Sequence, residues 1–149
     1  MKLRRPHRPR DFRLADSAQQ IVGGFLLAGP FVVTEEVWDL AANMHILQSL
    51  TLVAIVFAIG YAALYKADTT REPDDEQEVA GIPIRFISLM CVTFGSVTVL
   101  ALLFGAPETF LADETETTSA LALITFKAVT VGSVFSVVGA ATADSIFAK

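Results

Sequence analysis

Four long stretches of this chain are almost free of charge, and the polar residues gather in the gaps between them. The runs are about Ser17–Leu40, Ile46–Tyr65, Ile84–Ala106 and Ser119–Ala143. A hydrocarbon core about 30 Å thick takes about 20 residues of helix to cross, and each run meets or approaches that length. The first is marginal. Its uncharged part ends at Thr34, which puts Glu35 and Glu36 at the membrane boundary or just inside it and makes Trp38 an interfacial anchor. The second run is the cleanest, with Tyr61 and Tyr65 at its inner end; the third stops at Pro107; the fourth is interrupted only by Lys127. A soluble four-helix bundle would show one polar stripe per helix. Ile46–Tyr65 and Phe86–Ala106 are apolar on all sides, so the pattern predicts an all-α bundle of four transmembrane helices, residues 17–147, behind a basic tail, residues 1–16.

The connections expected are Asp39–His45, a polar and mobile loop over 66–83, and an acidic loop over 107–118. Span one contains LLAGP and span three ends in LLFGAP, each followed by glutamate, which hints at two tandem helical hairpins. The two prolines then differ in role. Pro30 lies inside its span, where it kinks the helix or frees a carbonyl, whereas Pro107 ends one.

Charge adds an orientation. Of 11 Lys and Arg, six lie in the first thirteen residues, and Lys66, Arg71, Arg85 and Lys149 fall on the same side of the bundle. Lys127 is inside span four, and the two opposite loops hold no basic residue. The positive-inside bias therefore places both termini in the cytoplasm of a cell-membrane protein. The net charge of −5 belongs to loops, and the basic tail beside a span reads as an orientation signal and a lipid contact, not a nucleic-acid site. One cysteine, Cys91, excludes an intrachain disulfide or a CxxC site, and His7 and His45 cannot form a transition-metal cluster with it. No catalytic triad, glycine-rich phosphate loop or cofactor motif is present, so neither an enzyme nor a cofactor is expected.

Inside the spans two stripes stand out. Ala128, Gly132, Ser136 and Ala140 recur every fourth residue of span four, with Asp144 next in step. Small residues at that spacing let helices approach closely, so this is a packing face or an oligomer interface. In span one, Asp16, Gln20, Gly24, Ala28, Glu35 and Asp39 share a face that should turn toward protein or water. Glu35 or Glu36 is a candidate partner for Lys127, with Thr34 and Asn43 nearby, forming an ion or proton site. The alternative is that Lys127 snorkels outward and both glutamates face water.

The stretch GGFLLAGPFVVTEEVWDLA (Gly23–Ala41) resembles the first span of the DUF2391 family of integral membrane proteins, through Gly24, Pro30, Thr34, Glu35, Glu36 and Trp38. GAPETF and VFSVVGAATADSIF resemble the short form of that family associated with halophilic archaea, and the similarity runs from about Asp16 to Phe147. The resemblance implies a multi-helix membrane protein and carries over no catalytic residue. Two functions are open at this level. One is a small homo-oligomeric channel or carrier for ions or protons, with Glu35 and Glu36 at its outer mouth. The other is a scaffold or accessory subunit that docks a larger membrane protein through the span-four stripe. Beyond the lipid bilayer and self-association, the sequence names no partner.

Overall fold

The long helix α6 (Thr118–Phe147) is the axis on which the other elements pack. The computed structural model describes residues 11–67, 71–113 and 117–147. Around α6 stand α1 (Leu14–Val32), α3 (Ile46–Ala62) and α4 (Ile84–Leu103), with the short helices α2 (Glu35–Asn43) and α5 (Ala106–Leu111) at one end. At the other end α3 runs on as a π-helical turn (Ala63–Ala67), and a 3-10 turn (Pro73–Asp75) and a two-stranded hairpin, β1 (Glu78–Val79) with β2 (Ile82–Pro83), lead into α4. This second end also holds the start of α1 and the end of α6, and is called the termini face below; α2 and α5 lie on the far face. Ile46–Ala67, α4 and α6 are each long and apolar enough to cross a bilayer, and α1 with α2 makes a fourth such segment if the bent pair counts as one span.

Span one is not a single helix to Leu40. It breaks after Val32 and turns by 80° into α2. Pro30 has no N–H to offer the carbonyl one turn back, which weakens the last turn. Other groups then satisfy the terminal carbonyls. Thr34 donates its N–H (3.2 Å) and its hydroxyl (2.8 Å) to Phe31 O, and the Trp38 indole N–H donates to Val32 O at 2.9 Å. Trp38 is thus no interfacial anchor: it is 1% exposed and stacks on Phe110 of α5, with ring centroids 6.0 Å apart. The expected Asp39–His45 loop is helical as far as Asn43. His45 then caps α3, its Nδ1 accepting from Leu47 N at 3.3 Å while Gln48 Oε1 accepts from His45 N at 2.7 Å.

Pro107 also has a different role from the one expected. α4 has already ended at Leu103, Gly105 takes a left-handed φ of 61°, and Pro107 sits in the first turn of α5, where a missing N–H costs nothing. The two halves of the chain therefore share an element order of long helix, short helix, long helix. Their packing differs: α1 lies along α6 for most of its length, whereas the corresponding pair, α4 and α3, meet only briefly.

The α1–α6 crossing is the tightest contact in the bundle. A Cβ added at Gly23 would lie 2.7 Å from the Gly139 carbonyl carbon and 2.6 Å from Ala143 Cβ, and closer still to Gly139 O. In lipid, helix association rests on such close packing because the hydrocarbon supplies no hydrophobic drive. Toward the far face the core is apolar, built from Ala28, Val32, Val37, Trp38, Val97 and Leu111 with their neighbours. A second cluster around Val56, Leu64, Leu89 and Val137 packs α3 against α4 and α6.

Candidate functional site, a buried charge cluster on the termini face

The loop expected to be solvated and mobile folds back over the end of the bundle. From Arg71 onward it carries two buried charges, Arg71 (3% exposed) and Glu76 (6%), onto the helix ends. There they meet Asp144, near the end of α6 and fully enclosed. Its two carboxylate oxygens are divided between two arginines: Arg71 Nη1 donates to Oδ2 at 2.8 Å, and Arg85 Nη1 from the first turn of α4 donates to Oδ1 at 2.7 Å. Arg85 also reaches Glu76 Oε1 at 3.1 Å and Asp16 Oδ2 at 3.3 Å, while Arg71 Nε stands 3.6 Å from Glu76 Oε1. A guanidinium suits this junction because its planar fork can serve several carboxylates at once.

Neutral groups complete the cluster. Tyr65, set by the π-helical turn, donates its hydroxyl to Glu76 Oε2 at 2.7 Å. Gln20 of α1 donates to Asp144 Oδ1 and to Arg85 O, both at 3.4 Å, and accepts from Ser88 Oγ at 2.7 Å. The Phe12 ring lies 5.5 Å from the Arg85 guanidinium carbon. Five segments thus converge: the start of α1, the π-helical turn after α3, the loop, the start of α4 and the end of α6. Two arginines against three carboxylates leave these five side chains with a sum of −1. Glu76 also lines an open cavity of about 580 Å³ together with Asp74, Gln77 and Glu78, so an acidic vestibule abuts the closed cluster.

Above Asp144, toward the far face, α6 buries a row of hydroxyls. Thr130, Ser133 and Ser136 are each 0% exposed. Thr130 and Ser133 donate to carbonyls of their own helix, and Ser136 to Gly24 O of α1 at 3.3 Å. Among the described residues, Ser49 Oγ and Thr93 Oγ1 are buried hydroxyl oxygens with no hydrogen-bond partner.

The site residues expected from sequence are distributed differently. Lys127 is buried (8% exposed) and donates to Met44 O at 2.6 Å, the carbonyl at the C-terminal end of α2. It joins neither Glu35 nor Glu36, and it does not snorkel outward. A cation there satisfies an orphan carbonyl and favours the negative end of the helix dipole. Glu35 and Glu36 are exposed in the first turn of α2, the turn at which acids stabilise a helix. The 80° break turns them, and Asp39, off the α1 face that buries Gln20, Gly24 and Ala28. Thr34 helps close α1, and Asn43 donates to Asp39 O at 2.9 Å. The stripe Ala128, Gly132, Ser136 and Ala140 is covered by the chain's own helices and so offers no surface to a second copy. The basic tail before Asp11, together with Glu114 and Glu116, lies outside the described residues.

Three helices long and apolar enough to cross a bilayer, a fourth segment bent at its break, and buried charges paired at one end define a polytopic α-helical membrane protein. Residues 5–146 match the DUF2391 family, described as "putative integral membrane protein", and the chain belongs to that family. No curated protein and no solved structure matches it.

Proposed function

We propose that this protein is a small proton or cation carrier of the cell membrane, not an enzyme, with its termini face in the cytoplasm and the Asp144 cluster as its inner gate. The observation that carries the reading is Asp144 itself, a fully enclosed carboxylate on a membrane-crossing helix, clamped by one arginine from a helix and one from a loop. Withdrawing a partner from a buried pair strands a charge at a cost of about 3–5 kcal/mol. The loop that carries Arg71 can therefore leave readily only when a proton or another cation neutralises Asp144. That requirement couples gate opening to ion arrival.

Three features support the reading. The cluster sums to −1 with both arginines in place, and to −2 without Arg71, so it attracts a cation as the loop lifts. The acidic vestibule leads to Glu76 and concentrates cations at the cluster's edge. The π-helical turn at Ala63–Ala67 joins the loop to α3, and such turns recur where helices flex at functional sites. On the far face, α2 and the apolar core around Trp38 close the opposite end. A filled bundle favours a carrier over an open channel. The surplus of Lys and Arg on the termini face supports the cytoplasmic assignment.

The test is proton and monovalent-cation flux into liposomes bearing purified protein, with the variants Asp144→Asn and Glu35→Gln/Glu36→Gln alongside. The wild type dissipates an imposed gradient, Asp144→Asn abolishes that activity, and the double glutamine variant slows it less, because exposed carboxylates only raise the local cation concentration. Silence from a well-folded wild type across several ions and pH gradients would remove the carrier reading and leave a docking subunit that uses a face other than the covered span-four stripe.

A further inference from the structure

On the flank of the far half, between α4, α5 and the first turns of α6, lies a second cavity of about 420 Å³. Its walls are mostly apolar, with Leu102, Phe126 and Val129 prominent, and Leu102 and Phe126 are exposed on the bundle surface, so the groove opens toward lipid. Its polar lining is one carboxylate, Glu108, and the hydroxyls of Thr98, Thr118 and Thr125, of which Thr118 alone can still donate. Glu108 contributes a carboxylate that, among the described residues, has no hydrogen-bond or ion-pair partner, and no Lys, Arg or His lines the groove. The hydroxyl protons of Thr98 and Thr125 are committed to Phe94 O (2.8 Å) and Leu121 O (2.7 Å), which leaves their oxygen lone pairs to accept. The surrounding face agrees in sign. Glu35, Glu36, Asp39 and Asp113 are exposed there, and Lys127 is turned inward to Met44 O.

We infer that this groove binds an amphipathic organic cation, an alkylammonium whose charged head meets Glu108 and whose tail lies along Leu102, Phe126 and Val129. The volume falls in the range of small-molecule sites, and the design of an apolar cleft with one orienting charge is the usual one. An inorganic cation would exchange its water shell for apolar walls and a single carboxylate. A neutral chain would leave the carboxylate unused. The inference is independent of the carrier reading, since it concerns binding on the opposite half of the molecule.

The experiment is equilibrium binding of radiolabelled dodecylammonium to the protein in lipid nanodiscs, against empty nanodiscs, with dodecanol as the neutral competitor. One saturable site per chain is expected above the lipid background, and dodecanol at equal concentration leaves it occupied. Glu108→Gln weakens binding about tenfold or more, the scale of one lost charge-assisted hydrogen bond. Ala122→Trp, which fills the wall from an exposed position, removes the site. Both substitutions are at exposed positions, and an unchanged melting temperature verifies that each variant is folded. Equal affinity for Glu108→Gln and wild type, displacement by dodecanol as effective as by the amine, or no saturable component would each overturn the assignment. The first two outcomes would make the groove a slot for lipid acyl chains.

Discussion

Replacing Arg85 by methionine tests the charge cluster most severely. Arg85 contacts all three carboxylates, Asp144 at 2.7 Å, Glu76 at 3.1 Å and Asp16 at 3.3 Å. Methionine keeps the apolar stem but ends short of the guanidinium, so the loss is chiefly electrostatic. Arg71 then faces three acids, and the sum of the remaining four groups falls to −2. Removing one side of a buried pair costs about 3–5 kcal/mol, a large share of the ~5–15 kcal/mol that holds a domain together. Asp144→Asn works the other way. It leaves two arginines against Glu76 and Asp16, a balanced set, and costs only the strength of its charge-assisted bonds, about 1–3 kcal/mol. Arg85→Lys falls between, because a point charge cannot span three carboxylates. The assay is unfolding of each variant in mixed micelles by titration with a denaturing detergent, followed by helical circular dichroism. The expected order of loss is Arg85→Met, then Arg85→Lys, then Asp144→Asn. An Arg85→Met variant within about 0.5 kcal/mol of wild type, the scale of an ordinary surface change, would refute the reasoning. So would an Asp144→Asn variant less stable than Arg85→Met.

Gly23→Ala forces a methyl group into the Gly139 carbonyl, and backbone cannot rotate away as a side chain can. The variant should lose about 1–3 kcal/mol, read in the same unfolding titration, while Gly95→Ala, with nothing near its added Cβ, stays close to wild type. Lys127→Met removes the ammonium from Met44 O and should cost about 1 kcal/mol. It should also speed amide exchange at the end of α2, measured by hydrogen–deuterium exchange, and leave exchange in α4 unchanged.

The family resemblance and the membrane class were both legible in the one-dimensional pattern. A run such as Ile46–Tyr65, apolar on every side, has few destinations other than lipid, and no tertiary information is needed to say so. The small-residue stripe of span four was also visible, and so was Asp144 at its end. What covers that stripe was not. Ala128, Gly132, Ser136 and Ala140 would read the same whether the partner were a helix of the same chain or a second subunit; Ser136 donating to Gly24 O of α1, and Gly132 packed on Val97 of α4, decide for the chain itself. The break after Val32 had a visible cause in Pro30 and Thr34, but its size depends on Trp38 folding back to Val32 O. A tryptophan near a span end reads equally well as an interfacial anchor.

The cluster was the feature furthest from view. Arg71 and Glu76 sit in a stretch so polar that solvent is its natural surrounding, and nothing in their spacing points toward Asp144, whose nearest cluster partner in sequence, Arg85, is 59 residues away. A weak signal did exist: Asp16, Gln20, Arg85 and Asp144 all interrupt or flank apolar runs at the same end of their spans. Hydropathy determines by itself which segments enter the bilayer, since the transfer of each apolar run is a local property that adds along the chain. The pairing of buried charges is not local. It depends on which helix ends meet across the bundle, so the site was decided only when α1, α4, α6 and the loop closed around Asp144.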